Sequence, residues 1–392
     1  MKSLAILTVL FLAANATAQN WNFNGSLENT LWLADDVPPA FLEFDDGYLL
    51  DPRLSLTYDY QPDPRFFVHA TLRADRGFDP GTEPDGELRF DEVILRCRPF
   101  GDNLLNIQLG KFPTIIGNWV PNHEFYEDPF ILAPLPYSEI NGINVKDPLG
   151  SSQTAIETRS KLSGATIHRL KENWSSIIWG PAYSNGLSVF GNTDAFDYAV
   201  EIKNSGLGSQ PSEWNFGEGD FETPNISARL GYRPDAAWAL GLSANRSYYL
   251  NEQAEEVLTP GMDREDFTQD LIGVDLRWSH HDWLLSGEVF YVNYETLHED
   301  LESLSYYLQA RYKAAPGLWI AGRFGQTLSN EVAIPSGGQA PWSPDYLRAE
   351  LALGWRITPD VLLKTQYAYT LVTNDLSEPS KNLLILSLGW RF

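Results

Sequence analysis

The feature that most constrains this chain is alternation with a period of two. Trp21, Phe23, Leu27, Leu31 and Leu33 fall on one face of an extended segment, and Asn22, Asn24, Ser26, Glu28 and Thr30 fall on the other. That period marks a β-strand with one apolar and one polar face. The pattern recurs at Leu54–Tyr60, Phe66–Leu72, Phe196–Ile202, Ile226–Tyr232 and Leu347–Trp355. No segment carries a long apolar helical stripe. None approaches the roughly 18 uninterrupted apolar residues needed to cross a bilayer as a helix.

Counting such segments predicts sixteen strands, at 21–33, 53–60, 66–75, 87–97, 104–112, 184–191, 196–203, 225–232, 237–249, 267–278, 283–294, 303–312, 318–327, 345–356, 361–371 and 382–392. An even count suits a single-chain bacterial outer-membrane barrel. The segment 87–97 breaks its alternation at Glu92-Val93-Ile94, which predicts a β-bulge. The segment 283–294 leaves open which of its faces is the outer one.

The connections alternate too. Gln61–Pro64, Pro99–Asn103, Asn192–Asp194, Arg233–Asp235, Ser279–Asp282, Ala314–Gly317 and Ile357–Asp360 are short and turn-like, and those between them are longer and acidic. Short turns at one end and long loops at the other is the outer-membrane barrel pattern. In hydrocarbon every backbone N–H and C=O must be paired within the protein, so strands that span it must close on themselves. The expected fold is all-β: a transmembrane antiparallel β-barrel of about 16 strands, wide enough to leave an aqueous interior. Aromatics near strand ends, among them Trp21, Tyr60, Tyr232, Trp238, Trp278, Trp283, Tyr312, Trp355 and Trp390, suit an interfacial girdle.

Both ends of the chain agree with export to an outer membrane. Met1-Lys2, the apolar run Leu4–Ala14 and Ala16-Thr17-Ala18 read as a signal peptide over 1–18, leaving 19–392 as the barrel. Leu384, Leu386, Leu388, Trp390 and Phe392 alternate up to the final residue. An aromatic-x-Phe ending resembles the signal by which outer-membrane barrels are recognised for insertion. The expected location is the bacterial outer membrane. Its lipid and lipopolysaccharide are expected partners, with the barrel-assembly machinery engaged through Phe392.

Composition narrows the function. The 392 residues carry 28 basic and 52 acidic side chains, a net charge of −24, which argues against a nucleic-acid binder. Thirteen Trp, 18 Tyr and 20 Phe argue against a disordered acidic chain. A single cysteine excludes an intrachain disulfide and a four-cysteine zinc site. No cofactor or metal is expected. His123 lies near Glu124, Glu127 and Asp128, but no nucleophile motif accompanies it.

Residues 113–183 break the rhythm after the fifth strand. A loop this long has a role. In general porins the loop at this position folds into the barrel and narrows the pore. Its first part is rich in Pro and aromatics, and its second part is locally basic, with Arg159, Lys161, His168, Arg169 and Lys171. The candidate pore-lining set is Arg53, Arg73, Arg89, Arg229, Arg277, Arg311, Arg323 and Arg348, opposed by Asp59, Asp75, Asp275 and Glu350, with Arg159, Lys161 and Arg169 from the loop. Opposed charges across a constriction make a transverse field that favours polar solutes.

The segment Asp85–Phe112 resembles the strand–turn–strand of the phosphate-selective porin O/P family, and Leu109-Gly110-Lys111-Phe112 matches its second half. Phe196-Asp197-Tyr198-Ala199-Val200 is similar to that family's next hairpin. The resemblance implies a sixteen-stranded, usually trimeric outer-membrane porin. The chain departs from anion-selective members in having few lysines. The expected function is passive diffusion of small hydrophilic solutes or ions, without catalysis. The alternatives are an occluded structural or adhesive barrel and, less favoured, an outer-membrane hydrolase.

Overall fold

The computed structural model describes residues 20–35, 41–44, 47–147, 173–210, 221–297, 300–333, 337–373 and 381–392. The proposed signal peptide and Arg159, Lys161 and Arg169 lie outside these residues. Among the described residues, sixteen antiparallel strands close into a barrel, each paired to its neighbours in chain order. They are β1 (Trp21–Ala34), β2 (Tyr48–Asp63), β3 (Phe66–Asp75), β4 (Glu87–Cys97), β5 (Asn106–Phe112), β6 (Ser184–Asn192), β7 (Phe196–Lys203) and β8 (Asn225–Tyr232). The second half is β9 (Trp238–Tyr248), β10 (Thr268–His280), β11 (Trp283–Tyr294), β12 (Leu301–Ala315), β13 (Leu318–Ser329), β14 (Asp345–Arg356), β15 (Val361–Thr373) and β16 (Asn382–Arg391). No described helix is long and apolar enough to cross a membrane.

Closure joins β1 to β16, with Leu27 opposite Trp390 and Leu31 opposite Leu386. The last residue completes this seam. Gly25 and Phe392 exchange both backbone hydrogen bonds at 2.8 Å. The Phe392 ring occupies the space a Cβ on Gly25 would take.

The wall is inverted relative to a soluble protein. Leu242, Ile272, Val274 and Leu351 are exposed on the outside, while Ser243, Asp275, Glu288 and Arg348 are buried on the inside. An apolar exterior suits hydrocarbon, and charges turned inward require partners. At the short-turn end the outer face carries paired rings: Trp238–Trp278 at 6.1 Å, Trp283–Tyr312 at 4.8 Å and Phe196–Tyr232 at 5.0 Å.

Three details refine the strand pattern read from sequence: one start differs, an expected bulge is found and an open facing is settled. First, β2 begins at Tyr48, five residues before the expected start at 53. Leu49 points inward and packs with Trp32 and Leu42, so both faces there are apolar and the alternation is hidden. Second, the pairing of β3 with β4 slips between Thr71–Glu92 and Leu72–Phe90, which makes Asp91 the extra residue, one position before the expected break. Third, β11 turns Phe290, Val292 and Tyr294 inward and Val289 and Tyr291 outward. Its inner apolar residues meet protein instead of water.

Gly110, in the Leu109–Phe112 motif, has φ +129°, and a Cβ there would lie 2.0 Å from the Val93 carbonyl oxygen. We expect Gly110→Ala to lower barrel stability by at least about 2 kcal/mol, read as a lower urea midpoint of the refolded protein. An unchanged midpoint would mean that the β4–β5 seam relaxes without cost.

Candidate permeation path

The described residues between β5 and β6, 113–147 and 173–183, lie inside the barrel. Thr114 donates to Glu201 on β7 at 2.9 Å, Arg277 on β10 donates to Asn122 at 2.6 Å, Arg323 on β13 donates to the Leu132 carbonyl at 2.5 Å, and Arg348 on β14 donates to Ser138 at 3.0 Å. On β15, Gln366 accepts from the backbone N–H of Ile131 and Leu132 at 2.6 and 3.0 Å. One segment reaches strands around most of the ring, on the face opposite the apolar one, only from within.

Its backbone is fixed by buried polar side chains, as an unpaired backbone group away from water is costly. Glu288 accepts from the backbone N–H of Asn118, from that of Trp119 at 2.7 Å and from the Tyr137 hydroxyl at 2.6 Å. Lys203 donates to the carbonyls of Phe112 and Ala182 at 2.7 and 2.9 Å, clamping both ends of the insertion to β7. Lys364 donates to the Asp128 carbonyl at 2.6 Å. An apolar core lies beneath these clamps, where Ile116, Trp119 and Tyr137 pack against Phe290 and Val292 of the wall. Short turns at Val120–Asn122 and Leu135–Tyr137, each containing a proline, shape the segment.

The described part of the insertion packs along β7 and β9–β15, and among the described residues a cavity remains beside β1–β4. This cavity measures about 180 Å³. Arg53 and Arg73 stand on its wall side, with Arg89 buried in the same ion-pair network, and Glu124 faces Arg73 from the insertion, where Asp128 is buried. Wall and insertion meet here through the ion pair of Arg73 Nη2 and Glu124 Oε1, 3.8 Å apart. His123 lies beside it, 2.9 Å from the Tyr183 hydroxyl and 3.4 Å from Glu124. Burial alone would raise the Glu124 carboxyl, but His123, Arg73 and Arg53 outweigh it and hold it below its usual range. Burial pushes Asp128 up, partly offset by Arg323 and Lys364. Asp128 accepts from the Trp119 indole N–H at 2.7 Å. A second cavity of about 500 Å³ opens towards the short-turn end, between β4–β8 and the start of the insertion.

The residues read from sequence divide between these regions. Arg89 is 1% exposed and pairs with Asp75 at 2.6 Å and Asp91 at 2.9 Å, and Arg53 also reaches Asp75, at 3.0 Å. Arg73 pairs with Asp91 at 2.9 Å. Arg229 bridges Asp197 and Asp275 at 2.9 and 2.8 Å. Asp59 holds His69 at 2.7 Å. Arg311, on the inner face of β12 near its turn, has no ion-pair partner among the described residues.

Arg323, Arg348 and Glu350 are a correction. They are sealed beneath the insertion instead of lining the cavity beside β1–β4. The insertion lies on β13 and β14, so Arg323 pairs with Glu350 at 2.5 Å and Arg348 pairs with Glu139. The anchoring roles of Glu288, Lys203, Lys364 and Gln366 were not read from sequence. A lysine or glutamine at an inward strand position looks the same whether it faces water or a carbonyl.

No family model and no curated protein matches the sequence. Solved structures do match in fold. OmpF of Salmonella typhi, solved with daunomycin, is 10% identical over 95% of this chain and 98% of its own, with a TM-score of 0.59. OmpT of Vibrio cholerae in its trimer form is 10% identical over 95% and 99%, with a TM-score of 0.55. An anion-selective porin from Comamonas acidovorans is 11% identical over 95% and 98%, with a TM-score of 0.52. The chain thus has the sixteen-stranded barrel fold found in outer-membrane porins.

Proposed function

We propose that this protein is an outer-membrane channel through which small hydrophilic solutes or ions diffuse passively, without catalysis. The observation that carries the reading is the polar cavity between Arg53 and Arg73 on the wall and Glu124 on the insertion, inside a barrel whose exterior is apolar. Opposed charges across the cavity favour hydrated polar solutes over apolar ones. The insertion acts as the constriction. The trimer form of the Vibrio cholerae neighbour supports a homotrimer. The inverted wall and its aromatic ring support contact with outer-membrane lipid and lipopolysaccharide, and the Phe392 seam supports insertion by the barrel-assembly machinery. The Leu109–Phe112 motif supports a relation to the phosphate-selective porin O/P family without that family's lysine-rich lumen.

A second reading, an occluded structural barrel, draws on the apolar core that fills the interior beneath β9–β12. Flux separates the two. Liposomes holding the refolded protein should swell in small sugars and more slowly as sugar size rises. Swelling no faster than in empty liposomes would favour the occluded barrel. Replacing Arg73 removes a positive charge from the cavity wall. Arg73→Gln should therefore move the reversal potential in a KCl gradient towards the potassium side. An unmoved potential would place the selective step elsewhere.

A further inference from the structure

The wall leaves some arginines at the short-turn end uncompensated. Arg53, Arg73, Arg89, Arg229, Arg323 and Arg348 each meet a carboxylate. Arg96 and Arg98, two residues apart on the inner face at the end of β4, meet none within ion-pair distance among the described residues. Their partners are neutral amides on β5. Arg96 donates through Nε and Nη2 to Gln108 Oε1 at 3.1 and 2.8 Å, and Arg98 donates through Nε to Asn106 Oδ1 at 3.2 Å. An amide orients a guanidinium without cancelling its charge. The rings of Phe67 and Phe190, 5.4 and 5.1 Å from the Arg96 guanidinium, hold it further.

Arg96, Arg98, Asn106, Gln108 and Phe190 line the cavity of about 500 Å³. Two carboxylates also face it. Asp197 is already engaged by Arg229 and Arg233 at 2.9 and 3.0 Å, and Glu92 lies 4.0 Å from His69. Asp275, behind the lining, also holds Arg229 at 2.8 Å, so four arginines meet three carboxylates and the vestibule stays positive in a chain of net charge −24.

We propose that the vestibule binds a small dicarboxylate, one carboxylate to each of Arg96 and Arg98. A guanidinium edge takes a carboxylate with two parallel hydrogen bonds. Neighbouring same-face positions on a strand are about 7 Å apart, and each guanidinium is tied to an amide that is itself one such step from the next. Two acidic groups joined by a short carbon chain span that gap. A monocarboxylate has two oxygens and fills only one fork; a tetrahedral oxyanion can bridge both forks but cannot give each its own carboxylate, so phosphate is the comparison that decides the class of ligand. The proposal rests on the diffusion reading for how the ligand arrives, but the site stands without it.

The test is equilibrium titration of the refolded full-length barrel with succinate, acetate and inorganic phosphate, beside planar-bilayer recording. Succinate should bind saturably, and acetate and phosphate at least about tenfold more weakly. Arg96→Gln/Arg98→Gln should weaken succinate about tenfold or more, and the Lys/Lys variant, which keeps charge but loses the forks, should fall between. Each single Gln variant is measured too, so a double variant that fails to fold leaves the comparison intact. Succinate bound equally by wild type and Gln variants, or no more tightly than phosphate, overturns the proposal. A barrel that binds succinate but does not conduct overturns the diffusion reading alone. One that conducts but does not bind succinate overturns this site alone.

Discussion

Glu288→Leu should free the constriction from the wall and raise single-channel conductance roughly twofold or more, with added current noise. The carboxylate is the acceptor for the N–H groups of Asn118 and Trp119 and for the Tyr137 hydroxyl. Each buried donor left without an acceptor costs about 1–3 kcal/mol. Three of them together rival the stability of the local fold, so the segment 117–137 should detach before the barrel opens. Limited proteolysis should then cut the insertion in the variant and spare it in wild type. Glu288→Gln keeps an acceptor and should stay close to wild type in both measurements. A Glu288→Leu barrel with unchanged conductance and an uncut insertion would show that the apolar packing of Ile116, Trp119 and Tyr137 holds the segment unaided.

The second large effect is expected at Arg89. Its guanidinium is buried among Asp75, Glu87 and Asp91 at 2.6, 3.1 and 2.9 Å. Arg53 reaches Asp75, Arg73 reaches Asp91 and buried Lys111 lies near Asp91 and Glu87, but Arg53 also serves Glu28 and Asp51 and Arg73 also serves Glu124, so three cations would remain for six carboxylates. Arg89→Leu therefore buries excess negative charge, and we expect a loss of about 3–5 kcal/mol in urea unfolding of the refolded barrel. The same change turns the cavity towards cations, which a reversal potential reads independently. A double variant, Arg89→Leu with Asp75→Asn, should recover part of the stability, because it removes one of the stranded charges. No recovery would mean that Asp75 is already satisfied by Arg53 and Gly77.

Most of the barrel was legible because its strands meet two different solvents. Where the outer face meets an apolar surround and the inner face carries polar groups, the alternation is clean, as in β8 (Asn225–Tyr232) and β16 (Asn382–Arg391). Legibility fails where the interior itself is apolar. Leu49 at the start of β2 and Phe290 and Val292 in β11 face packed protein, so their strands lose the polar half of the pattern. The insertion hid for a related reason. Ile116, Trp119, Val120 and Tyr137 form a core with residues distant in sequence, and no local period announces such a core. The charged wall positions of β2–β4 were readable as inward. Which of them stay open and which are covered depends on where the insertion lies, as Arg73 and Arg348 show. Arg96 and Arg98 were passed over because an amide across the strand looks unremarkable until the arginines of β2–β4 are seen to hold carboxylates.

The central claim is that a hydrated path runs past Arg73 and Glu124 through the barrel. Single-channel recording of the refolded protein in a planar bilayer tests it most directly. The account predicts discrete, steady conductance steps in wild type, and larger steps in Glu288→Leu. A correctly folded barrel that stays silent, in wild type and in Glu288→Leu alike, would contradict it.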